Sequence, residues 1–331
     1  MNCAYLAFTA KGLALAQQLA QTCPGSVSRC GLGGVTLAGW TAQQFAAADA
    51  LVFVGAAGIA VRAIAPHLSS KTRDPAVVVL DETGAFAVSL LSGHLGGANA
   101  LTLRLAGLCG AQPVITTATD RSGLWAADDW ARKNGCAVAE PERIKQVSGA
   151  LLAGGSLALF SEFSIGGVWP RGLHPAACAA KAQVVLSLSD TDPDGARPLH
   201  LVPRIAVLGV GCRKGTPAGQ ILELLSDFLA RAQVSRRALC RVCSIDLKAR
   251  EPGLLEACRT LGLPLSTYPA QALAALPGPF TPSAFVQSVT GVDNVCERAA
   301  VLGSGGTLLA PKYAKNGVTL ALALRPFAPE L

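Results

Sequence analysis

Short apolar runs of strand length recur along this chain, and most of them end in a glycine turn that leads into a helical pattern. Ala50–Val54 is uninterruptedly apolar and ends at Gly55, and residues 59–65 then have helical spacing. Residues 5–8 and 13–22 repeat this order. A strand that is apolar on both faces must be covered on both faces, which is typical of parallel sheets flanked by helices. The chain is therefore predicted to be an α/β protein.

One pair of runs departs from this order. Ala76–Leu80 and residues 86–90 are both apolar, and the four residues between them are Asp81, Glu82, Thr83 and Gly84. A short polar connection with a glycine, which can adopt positive φ, predicts a β-hairpin.

The chain is predicted to have three parts. Residues 1–134 form an N-terminal α/β domain, and residues 204–331 form a C-terminal, basic α/β domain that ends in a hairpin. Residues 135–203 are less regular and are interpreted as a small middle domain or linker. The predicted fold class is thus N-terminal and C-terminal three-layer α/β domains joined by a small middle region.

Composition narrows the function classes. Apolar residues make up 51% of the chain and charged residues 15%, which excludes extended disorder. The net charge is +7, and residues 204–331 hold 14 basic against 8 acidic side chains. This excess favours an anionic partner. Nucleic acid is disfavoured because aromatic residues are only 5% and no Lys/Arg-rich block occurs. A small polyanion fits better.

The location of the protein is predicted from what the sequence lacks. No apolar run reaches the ~18 residues that a membrane span needs. The N-terminus has no basic leader before its apolar stretch, so a signal peptide is not expected. The 11 cysteines are scattered and are interpreted as reduced thiols of a cytoplasmic protein.

The most informative stretch runs from Ser92 to Asn99, where a strand gives way to a helix inside a glycine cluster. Backbone N–H groups at such a turn can hold an anion or a carbonyl oxygen. His94 lies where it could act as a base. The competing interpretation is a tight strand–helix connection that needs glycine only for close packing.

Two further groups of charged residues are candidates. Arg62, Lys71 and Arg73 could hold carboxylates, and the alternative is a solvated charged loop. Asp81 and Glu82 could orient a base, although a carboxylate pair in a hairpin is more often only a polar turn.

Near the C-terminal strand at residues 205–210, Arg213 and Lys214 follow a glycine-rich loop. The glycine spacing matches neither a Walker A motif nor GxGxxG. These cations could bind an acidic ligand, or they could form a basic turn. Cys240 and Cys243 form a CxxC without a second Cys or His pair, so no metal site is predicted.

Several strings together resemble the cobalt-precorrin-5A hydrolase family (CbiG) of anaerobic cobalamin biosynthesis. They are residues 55–66, 71–79, 89–99 and 113–120, and in the C-terminal part 209–215, 244–248, 251–254, 290–292, 295–297 and 311–312. The resemblance covers nearly the whole chain and is weakest in the first forty residues and the middle region.

The resemblance implies a hydrolase that opens a δ-lactone on a cobalt corrinoid and expels acetaldehyde, giving cobalt-precorrin-5B. It implies no separate cofactor or metal, because the cobalt belongs to the substrate. On this basis His94 is predicted to be the general base, with Asp81 or Glu82 orienting it. The backbone N–H groups of residues 93–97 are predicted to hold the oxyanion. The predicted ligands of the substrate are Arg62, Lys71, Arg73, Ser92, Gly93, Gly96, Gly97, Asn99, Arg213 and Lys214.

Two other function classes stay open from the sequence alone. A corrinoid-binding carrier would use the same cations but need no acid–base residue. A phosphate-binding α/β enzyme would use the glycine turns at residues 93–97 and 209–215, although their spacing argues against it. The expected partners are the anionic cobalt corrinoid and either a second copy of the chain or, transiently, neighbouring enzymes of the pathway; neither nucleic acid nor a membrane is expected.

Overall fold

The computed structural model describes residues 1–70, 73–93, 96–116, 124–192 and 197–331. Lys71 and His94 lie outside the described residues. The chain divides into two compact units. The first comprises Met1–Arg132 and Ser148–Gly155, and the second comprises Lys133–Val147 and Ser156–Leu331. The predicted α/β class is confirmed. The middle region shares a unit with the C-terminal region, and the predicted boundaries at residues 134 and 203 stay predictions.

The first unit is built on a six-stranded sheet in the order β2-β1-β3-β4-β5-β6. Its strands are β1 Cys3–Ala7, β2 Gly25–Arg29, β3 Ala50–Val54, β4 Ala76–Leu80, β5 Phe86–Leu91 and β6 Gln112–Val114. The helices of this part of the chain are α1 Ala10–Thr22, α2 Leu37–Ala47, α3 Ala57–Ile64, α4 Ala98–Cys109 and α5 Ala127–Lys133, and a 3-10 turn covers Ala65–His67.

Strand direction decides which loops of this sheet can meet. All neighbouring strands are parallel except β4 and β5, which form the predicted antiparallel hairpin. The carboxyl ends of β1, β3 and β4 therefore lie at one edge of the sheet. The carboxyl ends of β5 and β6 lie at the opposite edge, beside the start of β4.

Alternate residues of the central strands fill two cores, one on each face of the sheet. Tyr5 and Val52 pack into one core, and Leu6 and Phe53 pack into the other. Each of these side chains is fully buried. The uninterrupted apolar runs in the sequence follow from this double coverage.

The second unit contains two five-stranded sheets, in the orders β7-β11-β10-β8-β9 and β14-β13-β12-β16-β15. The strands of the middle region are β7 Cys136–Val138, β8 Leu157–Ser161, β9 Leu173–Pro175, β10 Val184–Leu186 and β11 Leu199–Pro203. A helix, α6 Ile144–Leu152, crosses the boundary between the two units, and 3-10 turns cover Pro141–Arg143 and Ala179–Lys181.

The C-terminal sheet consists of β12 Ala206–Cys212, β13 Leu239–Ile245, β14 Leu265–Tyr268, β15 Thr307–Lys315 and β16 Val318–Leu324. The helices here are α7 Ala218–Ala232, α8 Pro252–Leu261, α9 Ala270–Ala274, α10 Ala284–Thr290 and α11 Cys296–Ser304, with 3-10 turns at Arg236–Ala238 and Asp246–Lys248. Strand β12 runs parallel to β13 and antiparallel to β16, which pairs with β15 in the predicted terminal hairpin. The carboxyl ends of β12, β13 and β15 therefore share one edge.

Two chain-wide observations bear on the sequence predictions. Among the residues that the structure describes, no helix has both the length and the apolar character to cross a membrane. All 11 cysteines are free thiols.

Candidate functional site

The glycine segment, residues 92–97, follows β5, and its described residues Ser92 and Gly96 lie beside the start of β4. The Ser92 hydroxyl donates to the carbonyl of Asp74, with Oγ and O 3.0 Å apart. Ser92 has a φ of 54°, in the left-handed region that non-glycine residues rarely adopt. The hydrogen bond to Asp74 holds this turn against the first residues of the hairpin.

The glycines of this segment are required by close packing. A Cβ on Gly93 would lie 2.7 Å from Oδ1 of Asn99, and a Cβ on Gly96 would lie 2.4 Å from Cβ of Ser92. Gly97 has a φ of 82° and occupies the N-cap position of α4. The packing interpretation is therefore correct for these glycines, but it leaves open what their N–H groups bind.

Backbone N–H groups at the start of α4 fall into two sets. Those of Ala98 and Asn99 donate to the carbonyls of Ser92 and Gly93, at 3.1 and 3.0 Å. Within the described part of the chain, the N–H groups of Gly93, Gly96 and Gly97 have no hydrogen-bond partner. These three donors, with the positive end of the α4 dipole behind them, could hold an oxyanion.

Asn99 packs against Gly93 and supports the glycine segment. Its side chain is buried, and its Oδ1 accepts a hydrogen bond from the Ser89 hydroxyl at 2.6 Å. Through this contact Asn99 fixes the turn, and its predicted role as a substrate ligand stays a prediction.

Asp81 and Glu82 lie at the other edge of the sheet. Residue pairing places Val77 opposite Leu91 and Leu80 opposite Ala87, so the full length of β4 separates these carboxylates from Ser92 and Gly93. At ~3.3 Å per residue, five residues of strand span roughly 16 Å. Asp81 and Glu82 are therefore far from Ser92 and Gly93, and their predicted role of orienting His94, which lies outside the described residues, stays a prediction.

Both carboxylates have structural partners instead. Asp81 accepts hydrogen bonds from the hydroxyl and N–H of Thr83 and from the N–H of Phe86. Burial alone would raise the pKa of Asp81, but these hydrogen bonds outweigh it and lower the pKa. Glu82 accepts from the hydroxyl of Thr9, which caps α1. The pair thus forms the polar turn of the hairpin.

Arg62 and Arg73 belong to opposite edges of the sheet. The Arg62 guanidinium points back along α3 toward the Gly58 carbonyl, which lies near the carboxyl end of β3. Arg73 is exposed and precedes Asp74, whose carbonyl bonds the glycine segment. Of these two predicted ligands, only Arg73 lies on the chain segment that contacts Ser92.

A cavity of about 880 Å³ opens in the second unit at the carboxyl ends of β12, β13 and β15. Ligands bind at this position in many open α/β sheets. Arg213 and Lys214, which the sequence predicted as ligands, line it. Three more cations that sequence reasoning missed line it as well: Lys248, Arg250 and Lys312. Lys248 and Arg250 follow the end of β13, and Lys312 lies in the second half of β15, so that only the topology brings them together.

A buried carboxylate holds one wall of this cavity in place. Glu251 is 7% exposed, and it accepts hydrogen bonds from the Gly215 N–H at 2.7 Å and from Nζ of Lys248 at 2.9 Å. The hydrogen bond from Lys248 is the main reason why the pKa of Glu251 is lowered. Glu251 thereby ties the loop after β12 to the turn after β13.

A second buried carboxylate holds the opposite wall. Glu297 is fully buried, and its oxygens accept from Nδ2 of Asn294 at 2.8 Å and from the Lys312 N–H at 2.7 Å. The N–H and hydroxyl of Thr281 also donate to it. These hydrogen bonds to Glu297 fix the segment of β15 that bears Lys312.

The thiols that line the cavity are poor nucleophiles. Burial raises the pKa of Cys296 to about 11 and also raises the pKa of Cys212. Both groups are therefore protonated at neutral pH, whereas the nucleophilic form of cysteine is the thiolate. The cavity is suited to binding rather than to covalent catalysis.

Comparison with known proteins gives matches along most of the chain. Residues 39–120 match the family description "Cobalamin synthesis G N-terminal", residues 125–203 match "Cobalamin biosynthesis central region", and residues 206–323 match "Cobalamin synthesis G C-terminus".

Two relatives and one solved structure resemble the chain over most of its length. The cobalt-precorrin-5A hydrolase of Salmonella typhimurium is 38% identical over 293 residues, which is 85% of this chain and 84% of that protein. The cobalt-precorrin-5A hydrolase of Priestia megaterium is 33% identical over 84% of this chain and 79% of its own length. The crystal structure of a cobalamin biosynthesis protein G homologue from Sulfolobus solfataricus has a TM-score of 0.44 and 20% identity, covering 98% of this chain and 97% of that chain.

The resemblance seen in the sequence strings is thus confirmed by identity over more than four-fifths of the chain. All three parts of the family are present in order. The chain therefore belongs to the CbiG family of cobalt-precorrin-5A hydrolases.

Proposed function

We propose that this protein is a cobalt-precorrin-5A hydrolase that opens the δ-lactone of its corrinoid substrate and releases acetaldehyde. The observation that carries the proposal is the pair of cobalt-precorrin-5A hydrolases that match most of the chain at 38% and 33% identity. The product is cobalt-precorrin-5B, within the biosynthesis of cobalamin.

The reaction balances as the addition of one water and the loss of one two-carbon aldehyde. Water adds to the lactone carbonyl, and the C–O bond of the ring breaks to give a carboxylate and an alkoxide. The alkoxide collapses to acetaldehyde as the carbon–carbon bond to the macrocycle breaks. The macrocycle carbon that keeps the electron pair then takes up a proton.

The glycine segment is the proposed place for the first step. The tetrahedral intermediate carries a negative oxygen, and the N–H groups of Gly93, Gly96 and Gly97 supply donors for it. His94, in the same segment of sequence, is the proposed general base that takes the proton from water. Lys71 and Arg73, which shortly precede Asp74 in the sequence, are the proposed ligands for substrate carboxylates in this unit.

The proposal assigns the protein no resident cofactor, because lactone hydrolysis and carbon–carbon cleavage need only acid–base and oxyanion groups. The cobalt is part of the substrate. A cytoplasmic location fits the 11 free thiols. A homodimer, or transient contacts with the enzymes that supply the substrate and consume the product, also belongs to the proposal.

The test is to mix the purified protein with cobalt-precorrin-5A and to measure acetaldehyde, together with the mass of the corrinoid. We expect one acetaldehyde per corrinoid converted, with a mass change equal to one water gained and one acetaldehyde lost. A corrinoid that is bound but unchanged would overturn the hydrolase proposal and would favour a carrier.

A further inference from the structure

The cavity of the second unit carries more positive charge than its own carboxylates neutralise. Among the described residues, Arg213, Lys214, Arg250 and Lys312 have no ion-pair partner. The two acidic residues of the lining, Glu251 and Asp293, are already paired, with Lys248 and with Arg298. The remaining charge that faces the cavity is therefore cationic.

The cavity also has an apolar wall that faces solvent. Leu247 is 67% exposed, and Phe285 and Val289, one turn apart on α10, are 70% and 62% exposed. All three line the cavity. Large apolar side chains at such exposure, within a concave site, indicate a surface that is covered when a ligand is bound.

The backbone that bears these cations is held in position before any ligand arrives. Glu251 fixes the loop that bears Arg213 and Lys214, and Glu297 fixes the backbone at Lys312. The Arg213 N–H also donates to the Gly317 carbonyl at 3.1 Å, where the terminal hairpin turns. A solvated basic turn needs no such bracing, whereas a binding site gains affinity when its charged groups are preorganised.

We infer that this cavity binds the corrinoid itself, with its cations on the peripheral carboxylates and its apolar wall against one face of the macrocycle. The inference rests on the proposed function for the identity of the ligand. It adds the site, its residues and their two kinds of contact, which are charged contacts to the carboxylates and apolar contacts to the macrocycle. Inorganic phosphate would leave the wall of Leu247, Phe285 and Val289 without a role.

Every residue that lines the cavity belongs to the second unit. Corrinoid binding at the cavity is therefore separable from turnover at the glycine segment. A variant that cannot release acetaldehyde should still bind the corrinoid, and a variant of the cavity should raise KM or Kd with little change in kcat.

The experiment measures the binding of two stable probes to the full chain by absorbance or calorimetric titration. Cobyrinic acid is a cobalt corrinoid whose peripheral side chains end in free carboxylates, and cobinamide has the same macrocycle with these groups as amides. We expect cobyrinic acid to bind at least roughly tenfold more tightly than cobinamide, with an affinity that falls as salt is raised. Inorganic phosphate should not compete at millimolar concentration.

Substitutions then locate the site. Lys312→Ala and Lys214→Ala should each weaken cobyrinic acid roughly tenfold, because each removes one charge-assisted contact. Phe285→Ala should weaken both probes, by roughly tenfold or less, because it removes apolar contact. The matched control is Lys315→Ala, which removes the same charge from the same strand at a residue that pairs with Asp227 and does not line the cavity.

The inference is wrong if Lys312→Ala and Lys214→Ala bind cobyrinic acid like the native chain, or if Lys315→Ala weakens it equally. Native melting temperatures in the variants exclude misfolding as the cause of a loss. Acetaldehyde release from cobalt-precorrin-5A by the native chain decides the proposed function independently. If the native chain releases acetaldehyde and the cavity variants bind cobyrinic acid as tightly as the native chain does, only the inference is rejected. If the cavity variants selectively lose binding and the native chain releases no acetaldehyde, only the hydrolase proposal is rejected.

Discussion

The glycine segment of the first unit and the cavity of the second unit use their polar groups in opposite ways. In the described part of the glycine segment, the Ser92 hydroxyl donates to Asp74, and Asn99, which packs against Gly93, accepts from Ser89. The N–H groups of Gly93, Gly96 and Gly97 have no partner among the described residues. In the cavity the backbone is engaged, through Glu251 and Glu297. The cationic side chains of Arg213, Lys214, Arg250 and Lys312 have no ion-pair partner among the described residues.

This difference separates two kinds of chemistry. Fixed backbone donors at a helix start are suited to a charge that develops at one atom during a reaction. Long cationic side chains spread around an apolar wall are suited to a large ligand that already carries many charges. In our proposals, the first unit therefore supplies the groups for the reaction and the second supplies the groups for recognition.

The largest effect should come from His94→Ala, which tests the reactive side of this comparison. If His94 is the general base, kcat for acetaldehyde release should fall by roughly 10²–10⁴-fold. The Kd for cobyrinic acid should not change, because the cavity lies in the other unit. The control is His174→Ala, at an exposed position of the second unit. Full activity in His94→Ala would remove His94 from catalysis.

The next effect concerns the packing of the glycine segment. In Gly96→Ala the new Cβ would meet Ser92 at 2.4 Å, so the turn must shift, at a cost of about 1–3 kcal/mol in the free energy of unfolding. Gly107→Ala is the matched control, because Gly107 lies in α4 with nothing within 4 Å of its Cβ position. That variant should gain about 0.5–1 kcal/mol. Denaturant unfolding measures the free energy of unfolding of both variants. Equal changes in the two variants would show that the glycine segment tolerates movement.

The fold could be predicted from the sequence to the extent that local pattern determines it. The apolar run Ala50–Val54, the hairpin at residues 81–84 and the final hairpin at Gly317 all formed as predicted. Strand β2 was missed because Gly25–Arg29 is an edge strand of mixed polarity without an apolar run.

The candidate site could be predicted only in part, for a different reason. Glycines at 93 and 96 stand out locally, so the segment was found. The direction of β5, which places Asp81 far from Ser92, is a property of the sheet rather than of the motif. Lys248 and Lys312 are 64 residues apart in the chain and share a cavity only because β13 and β15 end at the same edge.

A smaller effect is expected from Glu251→Gln, which tests the bracing of the cavity. The glutamine keeps an acceptor for the Gly215 N–H but loses the ion pair with Lys248, which should cost about 1 kcal/mol at pH 7. Because the folded-state pKa of Glu251 is lowered from its ordinary value of 4.5, its contribution is present above that value and is lost as pH falls through the folded pKa. The native and variant stabilities should therefore converge in acid. A constant difference from pH 7 to pH 2.5 would show that the ion pair is not what stabilises the loop.

The smallest effect is expected from removing metal ions. In the proposed mechanism the N–H groups of the glycine segment stabilise the developing oxyanion, which is the task that a Lewis acid performs in metal-dependent hydrolases. If those donors and His94 are sufficient, the rate of acetaldehyde release after dialysis against EDTA should equal the untreated rate within error, with the cobalt entering only in the substrate. Loss of activity that Zn²⁺ or Mg²⁺ restores would assign the oxyanion to a metal and would leave the glycine amides with a structural role only. The same measurement on dialysed Gly96→Ala completes the comparison. The rate of a metal-dependent enzyme would change with the added ion, whereas the rate of an enzyme that depends on the glycine amides would change with the displaced turn.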